Sequence, residues 1–286
     1  MVKQVYGILG DPVAHSLSPV MQNAAFKQLG MDAVYLAFRV PREELEGAIR
    51  GAKSLGIAGL NVTIPLKEDA LLFVEPDEFA RQIGAINTID FSTGTPMGYN
   101  TDGPGVIRAL QERVGDLAGK RVLIIGAGGA ARAIAFALDR EGAFVTLANR
   151  TVARAAQLAA RLTNAHAIGL GAELKAQLKA TDIMINATSI GMHPRVEETP
   201  VTADMLTPEL VVFDIVYNPI ETKLLADARR AGVHTLITGV KMLVYQGAAA
   251  FRIWTKREPP LDVMEQAVLD ALQHGLWTSR EGASDP

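Results

Sequence analysis

The sequence contains no cysteine, which excludes disulfide bonds, thiolate metal ligands and a thiol nucleophile. Histidine is scarce, and no two of the histidines stand at metal-ligand spacing, so we predict no metal site. No charge of one sign dominates, because 28 basic and 31 acidic residues leave a net charge of −3. That balance disfavours nucleic acid and anionic membrane surfaces as partners.

Long hydrophobic runs are also missing. The longest apolar stretch, residues 122–131, is interrupted by glycine and ends at Arg132, well short of a membrane span. The first residues run directly into strand-like sequence and leave no room for a signal peptide, so we expect a cytoplasmic protein. With 286 residues, 49% hydrophobic and 21% charged, the chain has the composition of a globular protein of two domains.

Apolar runs of strand length alternate with amphipathic segments of helix length, a pattern typical of α/β proteins with parallel sheets. In the first part of the chain we predict a helix over 18–29, with Ser18 as its N-cap and Pro19 at its first position. A second predicted helix, 66–73, follows a strand over 57–63 and has Pro65 at its start. The other predicted strands here are 5–10, 33–40, 85–90 and 96–100, and the other helices are 42–55 and 101–114.

A second alternating series begins near residue 121 and predicts a second domain. Its predicted strands are 121–125, 144–148, 182–186, 210–214 and 234–236, and its predicted helices are 129–141 and 152–162. Two final helices, 240–254 and 261–274, follow the last strand, and the pattern alone leaves open which domain they pack on. The polar tail from Thr278 is expected to be frayed.

A glycine-rich turn joins the first strand and the first helix of this second series. Gly126, Gly128 and Ala131 form the spacing G-x-G-x-x-A. The first glycine allows a tight turn, the second lets the backbone approach a pyrophosphate, and the alanine lets the helix lie close to the strand. Glycine turns also serve packing alone, but this position between strand and helix predicts a dinucleotide site at the helix N-terminus.

The end of the next strand indicates which dinucleotide is bound. Sites for NAD usually place an acidic residue there, whereas this strand ends in Asn149, Arg150 and Thr151. An arginine can bind a 2′-phosphate, and a threonine can add a hydroxyl donor. The alternative is that Thr151 caps the following helix while Arg150 is solvated, and both can hold together. We therefore predict NADP.

Another polar turn, from Asn186 to Met192, follows the strand over 182–186. Cofactors lie across the carboxyl ends of such strands, so this turn is placed to contact the nicotinamide side. Taken alone, it would be read as an ordinary turn from strand to loop.

Lys67 and Asp102 are the candidates for proton chemistry. A lysine in the first turn of the predicted 66–73 helix would face the positive end of the helix dipole, where a cation is unfavourable. That position lowers the cost of giving up the proton, which suits a general acid or base. The alternative is a surface lysine. Asp102 is either an ordinary helix start or the charged partner of a lysine, and sequence spacing cannot show that it meets Lys67.

Two further segments offer polar groups for a substrate. Ser16 and Ser18 place hydroxyls at a predicted helix N-terminus, which suits a carboxylate, although Ser18 could be only a cap. Asn87 adds a carboxamide in the segment Gly84 to Thr88.

Taken in order, these segments resemble the shikimate dehydrogenase family from about residue 6 to about residue 272. The matching stretches are GDPVAHSLSP (10–19), NVTIPLK (61–67), GAINT (84–88), YNTDG (99–103), GAGGAAR (126–132), NRT (149–151), NATSIGM (186–192), DIVYNP (214–219) and GVKMLVYQG (239–247). Pro104 and Val106 depart from the family pattern but lie away from the proposed chemistry.

The resemblance implies an α/β fold of two domains. An N-terminal substrate-binding domain, residues 1–103 with 240–276, would be completed by the C-terminal helices. A Rossmann-type, doubly wound NADP-binding domain would cover 104–239, and 277–286 would form a flexible tail. The active site would lie in the cleft between the domains.

The resemblance further implies reversible, NADPH-dependent reduction of 3-dehydroshikimate to shikimate, in the pathway to chorismate and the aromatic amino acids. Lys67 and Asp102 would form the catalytic pair, working on a small-molecule substrate in a monomer or homodimer. The substrate-binding residues would be Ser16, Ser18, Asn61, Thr63, Lys67, Asn87, Asp102, Tyr217 and Gln246. The cofactor-binding residues would be Gly126, Ala127, Gly128, Gly129, Ala130, Asn149, Arg150, Thr151, Thr188, Ser189, Met192, Ile215, Gly239 and Met242.

Three alternatives remain at this point. A quinate/shikimate dehydrogenase shares the same motifs but often has an acidic residue just beyond the Asn-Arg pair, where this chain has Thr151, Val152 and Ala153. A catalytically idle NADP-binding sensor would not need Lys67 and Asp102. A dehydrogenase for amino acids or folates would share the glycine turn but not the paired serines.

Overall fold

A computed structural model describes residues 3–275, which fold as two compact units. The first unit takes the chain up to Thr101 and again from Val244, and the second covers Asp102–Leu243. The predicted domain borders, 103/104 and 239/240, stay predictions. The predicted tail, 277–286, lies outside the described residues. None of the helices between residues 3 and 275 combines the length and the apolar character needed to cross a lipid bilayer.

The first unit is built on a mixed sheet with the strand order β2-β1-β3-β5-β6-β4. β1 runs parallel to β2 and β3, while β5 is antiparallel to both β3 and β6. Because β1 and β3 are parallel, their carboxyl ends meet at one edge of the sheet. The strands are β1 (Gln4–Gly10), β2 (Ala33–Arg39), β3 (Gly59–Val62), β4 (Glu75–Pro76), β5 (Thr88–Asp90) and β6 (Met97–Tyr99).

The helices of the first unit include the C-terminal pair. α10 packs against α1, and a Cβ at Gly247 in α9 would collide with Met21. Trp254 of α9 donates from its indole to the Ile89 carbonyl at 2.9 Å. The C-terminal helices therefore return to the first unit, which settles the packing that the sequence pattern left open. The helices are α1 (Ser18–Gln28), α2 (Leu45–Ser54), α3 (Glu78–Ile83), α9 (Gly239–Thr255, which begins in the second unit) and α10 (Leu261–Gln273).

The second unit is a parallel sheet with the order β12-β11-β10-β7-β8-β9. This is the doubly wound order, in which successive strands are added first on one side of β7 and then, from β10, on the other. Ligands bind at this switch point in such folds. The four inner strands of the sheet, β11, β10, β7 and β8, are almost wholly buried, as expected for a parallel sheet covered on both faces. The six strands are β7 (Arg121–Ile125), β8 (Phe144–Ala148), β9 (Ala165–Ile168), β10 (Ile183–Asn186), β11 (Val211–Asp214) and β12 (Thr235–Ile237).

The helices of the second unit connect these strands. They are α4 (Asp102–Val114), α5 (Gly129–Arg140), α6 (Val152–Ala159), α7 (Ala172–Leu178) and α8 (Lys223–Arg230). The predicted strands and helices of both units are present, most of them within a few residues of their predicted ends, with one exception.

The exception is the predicted helix over 66–73. Residues 64–68 form turns, and only a short 3₁₀ helix follows, at Asp69–Phe73. Glu68 is the N-cap of this helix and Asp69 its first residue, an acidic start that the helix dipole favours. The Leu66 N–H instead bonds the Thr63 carbonyl and closes a separate turn. The prediction that Pro65 opens a helix was therefore wrong.

Several short elements were not predicted, namely β4, α3, β9, α7 and α8. Two of them carried a readable start signal. The Asp77 carboxylate caps α3 through the Ala80 N–H at 2.7 Å, and the Thr222 hydroxyl caps α8 through the Leu225 N–H at 3.3 Å. Their length, eight residues or fewer, left too little periodicity to detect.

Candidate functional site

The segment from Asn61 to Lys67 lies at the carboxyl ends of β1 and β3. The Thr63 N–H bonds the Leu9 carbonyl at 2.8 Å, which ties the segment to β1. On its other side, the Ile86 N–H bonds the Lys67 carbonyl at 2.9 Å. Because both flanks are held by backbone hydrogen bonds, Lys67 has a fixed backbone position beside the segment that carries Asn87.

Asn87 is the centre of a buried polar network in the first unit. Its carbonyl accepts from Asn61 Nδ2 at 2.9 Å, and its Oδ1 accepts from the Thr101 N–H at 2.8 Å. Its Nδ2 donates to Gln246 Oε1 at 3.4 Å. The structure therefore brings three predicted substrate-binding residues together, and adds Thr101, which directly precedes Asp102.

The start of α1 differs in detail from its prediction. Ser18 is the first residue of the helix, and Leu17 occupies the N-cap position without a side-chain cap. Ser16 Oγ accepts from the Ser18 N–H at 3.3 Å. The prediction that Ser18 is the N-cap was wrong, because Leu17 occupies that position and the Ser16 hydroxyl accepts from the Ser18 N–H.

Sequence reasoning missed Tyr35 of β2, whose hydroxyl contacts Asn61. The Tyr35 phenol donates to Asn61 Oδ1 at 2.7 Å. Burial raises the pKa of Tyr35 well above its ordinary value. A tyrosine in an apolar strand gives no signal of its own in the sequence, because its packing and its polar role look alike.

The structure places Lys67 outside any α-helix. Lys67 precedes the 3₁₀ helix by two residues and lies in a turn, so it does not occupy the first turn of an α-helix. The dipole argument for a destabilised cation at this position was therefore wrong. What remains is its place, half-buried and next to the Asn87 network.

The glycine turn of the second unit has the geometry that a dinucleotide needs. Gly126 has φ +120°, and a Cβ there would approach the Ala187 carbonyl oxygen to 2.9 Å, so only glycine fits. Cβ atoms at Gly128 and Gly129, in contrast, would meet nothing within 4 Å. The α5 N-terminus has neither a side-chain cap nor an acidic residue in its first turn. Ala127 and Ala130 flank this open space, which fits a pyrophosphate.

The end of β8 fits a 2′-phosphate. Asn149 Nδ2 donates to the Thr151 carbonyl at 2.9 Å, which shapes the loop, while Arg150 and Thr151 are exposed. Thr151 occupies the N-cap position of α6, but its side chain makes no capping hydrogen bond. The first turn of α6 also lacks acidic residues. This loop therefore offers a guanidinium, a hydroxyl and a helix N-terminus to an anion.

Asn186 organises the loop after β10. Its Oδ1 accepts from both the N–H and the hydroxyl of Thr188, at 3.1 Å and 2.7 Å, and its Nδ2 donates to the Ile190 carbonyl at 3.2 Å. The predicted cofactor residues Thr188, Ser189 and Met192 therefore lie on a loop held from within the sheet. Asn186 itself was named only as part of this turn, not as its support.

The last predicted site residues follow β11 or begin α9. A Cβ at Gly239 would collide with the backbone of Ile215 and Val216, so this glycine permits a close approach of two chain segments. Burial raises the pKa of Tyr217. Met242 is buried one helical turn beyond Gly239.

The two units define a class: a two-domain α/β protein with a polar network in one unit and a dinucleotide-binding fold in the other. Family models confirm and narrow this class. The substrate-binding domain of shikimate dehydrogenase matches residues 8–89, the shikimate/quinate 5-dehydrogenase domain matches 108–232, and the C-terminal domain of shikimate 5′-dehydrogenase matches 239–269.

Individual relatives agree with the family models. The chain is 53% identical to the NADP⁺ shikimate dehydrogenase of Methanosarcina mazei, over 95% of this chain and all of that one. A crystal structure of a shikimate dehydrogenase with NADP⁺ superimposes with a TM-score of 0.89 at 44% identity, over 94% and 96% of the two chains. The Thermus thermophilus shikimate 5-dehydrogenase with NADP(H) and shikimate gives 0.87 at 38%, over 94% and 100%. The chain belongs to the shikimate dehydrogenase family.

Proposed function

We propose that this protein is an NADP-dependent shikimate dehydrogenase, which reduces 3-dehydroshikimate to shikimate reversibly on the route to chorismate. The observation that carries the proposal is the polar network of Asn61, Asn87, Thr101 and Gln246 in the unit that matches the substrate-binding domain. A polyhydroxylated ring carboxylate needs convergent hydroxyl and carboxamide groups of this kind.

The substrate residues divide by chemistry. Ser16 and Ser18, at the start of α1, would hold the carboxylate with hydroxyl groups and a helix N-terminus. Asn61, Thr63, Asn87, Asp102 and Gln246 would bind the ring hydroxyls. Tyr217 would line the same site.

The cofactor residues belong to the second unit and the start of α9. Gly126, Gly128 and Gly129, with Ala127 and Ala130, would hold the pyrophosphate at the α5 N-terminus. Asn149, Arg150 and Thr151 would bind the 2′-phosphate. Around the nicotinamide would lie Thr188, Ser189, Met192, Ile215, Gly239 and Met242.

When bound, NADPH supplies the hydride that is added to the C3 carbonyl carbon. The protein must then deliver a proton to the carbonyl oxygen. Lys67 Nζ would donate this proton, and Asp102 would hold the ammonium in the donating orientation. In the reverse direction Lys67 would accept the proton from the C3 hydroxyl. The backbone bond between Ile86 and Lys67 supports a fixed position for this donor.

The remaining expectations concern the setting of the enzyme. The balanced net charge supports a small-molecule substrate and disfavours a nucleic-acid or membrane partner. We expect the enzyme to act in the cytoplasm. We further expect a monomer or a homodimer.

One alternative has specific support. The family model over residues 108–232 is described for both shikimate and quinate dehydrogenases, so a relaxed choice of substrate or cofactor is the second candidate. The exposed Arg150, with no acidic residue beside it, favours NADP over NAD.

The test is an absorbance assay at the NADPH band with purified protein. We expect kcat/KM to be highest for shikimate with NADP, and at least tenfold lower for quinate or for NAD. Equal values for shikimate and quinate would favour the alternative. Tight NADP binding without turnover of either substrate would instead identify a sensor.

A further inference from the structure

Thr88 is a fully buried threonine of β5 that stands opposite Asn61 of β3 in the sheet register. Its hydroxyl accepts from Asn61 Nδ2 and donates to Asn87 Oδ1, both at 3.0 Å. A single hydroxyl group therefore contacts the side chains of two proposed substrate residues. Thr88 itself has no role among the predicted site residues.

A backbone group fixes the orientation of the Asn61 carboxamide. The Asn87 carbonyl can only accept, so the atom that faces it at 2.9 Å must be the nitrogen of Asn61. The second hydrogen of this nitrogen goes to the Thr88 hydroxyl. The oxygen of Asn61 then faces the Tyr35 phenol, from which it accepts at 2.7 Å. Because a carbonyl oxygen has two lone pairs, Asn61 can offer a ligand one more acceptor and no further donor.

The Asn87 carboxamide is fixed in the opposite sense. The Thr101 N–H can only donate, so the atom that it meets at 2.8 Å must be the oxygen of Asn87. The hydroxyls of Thr88 and Thr101 add donors to the same oxygen, at 3.0 Å and 3.1 Å. With three donors around its oxygen, Asn87 presents its nitrogen to other partners, and this nitrogen donates to Gln246 Oε1 at 3.4 Å. The two carboxamides therefore have opposite polarity.

We propose that Thr88 is a positioning residue, which sets these opposite polarities for recognition of the substrate ring. Asn61 accepts the hydrogen of a ring hydroxyl, and Asn87 donates to a ring oxygen. A substrate must then offer a donor at the first position, whereas the second position takes either a hydroxyl or a carbonyl. The inference deepens the proposed function and rests on it, since it requires that both carboxamides contact the ring.

The first experiment compares shikimate binding by calorimetry, without cofactor, in the wild type, Thr88→Val and Thr88→Ser. Valine is close to threonine in shape but leaves a buried hydrogen of Asn61 without its acceptor. We expect the shikimate Kd to rise about tenfold in Thr88→Val and to stay within about twofold of wild type in Thr88→Ser, which keeps the hydroxyl. In turnover, the shikimate KM should rise in Thr88→Val, while kcat and the NADP Kd change little.

Thr146→Val is the matched control. Thr146 is also a buried threonine within a strand, β8, but its hydroxyl meets the His166 ring at 3.3 Å and not a proposed substrate residue. We expect this variant to keep the shikimate Kd of the wild type. Equal weakening in the two valine variants, or none in Thr88→Val, would overturn the inference while the proposed function stands.

Asn87→Asp tests the polarity directly, and it keeps the proposal testable if Thr88→Val does not fold. The new carboxylate retains the oxygen that accepts from Thr88 and Thr101 and replaces only the nitrogen. We expect it to bind shikimate at least about tenfold more weakly, because an acceptor then faces an acceptor. The loss should persist for the uncharged methyl ester of shikimate. A Kd near that of the wild type, or a loss that disappears with the ester, would overturn the assignment.

A double-mutant cycle tests whether Thr88 acts through Asn87. In an Asn87→Ala background, Thr88→Val should weaken shikimate binding by much less than about tenfold, because the carboxamide that it orients is gone. Fully additive effects would make Thr88 an independent contributor and would overturn the positioning role. A wild type that neither binds nor oxidises shikimate would instead overturn the proposed function.

Discussion

Asn186 and Asp214 are register partners at the carboxyl ends of β10 and β11, and Asn186 Nδ2 donates to Asp214 Oδ1 at 3.0 Å. Asp214 is fully buried and also accepts from the Thr222 hydroxyl at 2.6 Å and from the Val216 N–H at 3.1 Å. One carboxylate therefore joins the loop after β10 to the segment that carries Ile215 and Tyr217. Burial raises its pKa to about 6, although the three hydrogen bonds oppose this shift.

Asp214 should make the stability of the second unit depend on pH. Because its pKa is higher in the folded chain than in the unfolded chain, the folded state binds the proton more tightly. The resulting stabilisation is complete below pH 3.8 and is lost as the pH rises through about 6. The difference in unfolding free energy between wild type and Asp214→Asn should therefore fall by about 3 kcal/mol at most over this range.

Thermal unfolding of both proteins at several pH values between 4 and 7 measures this difference. The asparagine keeps an acceptor for Asn186 and cannot ionise, so it isolates the carboxylate. Other carboxyl groups titrate equally in both proteins and cancel. A difference that stays constant across the range would contradict a raised pKa at Asp214.

The glycine turn should separate stability from cofactor binding. Gly126→Ala forces a side chain into φ +120° and against the Ala187 carbonyl, and should cost about 2–3 kcal/mol of stability. Gly128→Ala meets open space in an extended backbone, so its stability should stay within about 0.5 kcal/mol of wild type. Its methyl group would, however, occupy the space proposed for the pyrophosphate.

Thermal unfolding measures the stability of each variant, and calorimetric titration with NADP measures its cofactor affinity. We expect Gly128→Ala to keep its unfolding temperature and to bind NADP at least tenfold more weakly. Undiminished NADP affinity in Gly128→Ala would show that the pyrophosphate lies elsewhere.

Much of the fold could be predicted because long elements carry their own periodicity. The strand 121–125 and the helix after it were predicted from an apolar run and the glycine turn between them, and both of these act locally. Tyr35 could not be assigned a role in this way. Its partner Asn61 lies 26 residues away in the chain, and only the folded sheet brings the two together.

Lys67 shows the opposite case, in which a local rule was applied at the wrong place. Proline commonly opens helices, and the residues after Pro65 suit a helix. The Leu66 N–H instead bonds the Thr63 carbonyl at 2.8 Å, and the 3₁₀ helix begins only at Asp69, with Glu68 as its N-cap. Leu66 is fully buried in the core of the first unit, so tertiary packing decided the start of the helix.

Arg150 should determine the preference for NADP over NAD. Its exposed guanidinium lies beside the uncapped start of α6, and charge-assisted bonds to a phosphate contribute about 1.5–3 kcal/mol. Arg150→Gln should therefore raise the NADP KM about 10–100-fold and leave the NAD KM within about twofold. Lys179→Gln removes an equal charge at an exposed site in the same unit and serves as the control. Equal losses in both variants would indicate only a general field effect.

Lys67 should matter for the chemical step and little for cofactor binding. Lys67→Ala removes the proposed proton donor, and general acid catalysis contributes about 10²–10⁴-fold, so kcat should fall by at least about 100-fold. The NADP Kd should stay within about twofold, because the proposed cofactor residues belong to other segments. Lys27→Ala, which removes an exposed lysine at the end of α1, should leave both values unchanged.

The partnership of Lys67 with Asp102 requires a second measurement. If Asp102 acts by orienting the Lys67 ammonium, then Asp102→Asn should lower kcat strongly in the wild type and only slightly in Lys67→Ala, because residues that act as a unit are not additive. If the two losses multiply instead, Asp102 binds substrate independently of the lysine. Near-normal turnover in Lys67→Ala would remove Lys67 from the chemistry, and the proton donor would then have to be sought among the Asn87 network and bound water.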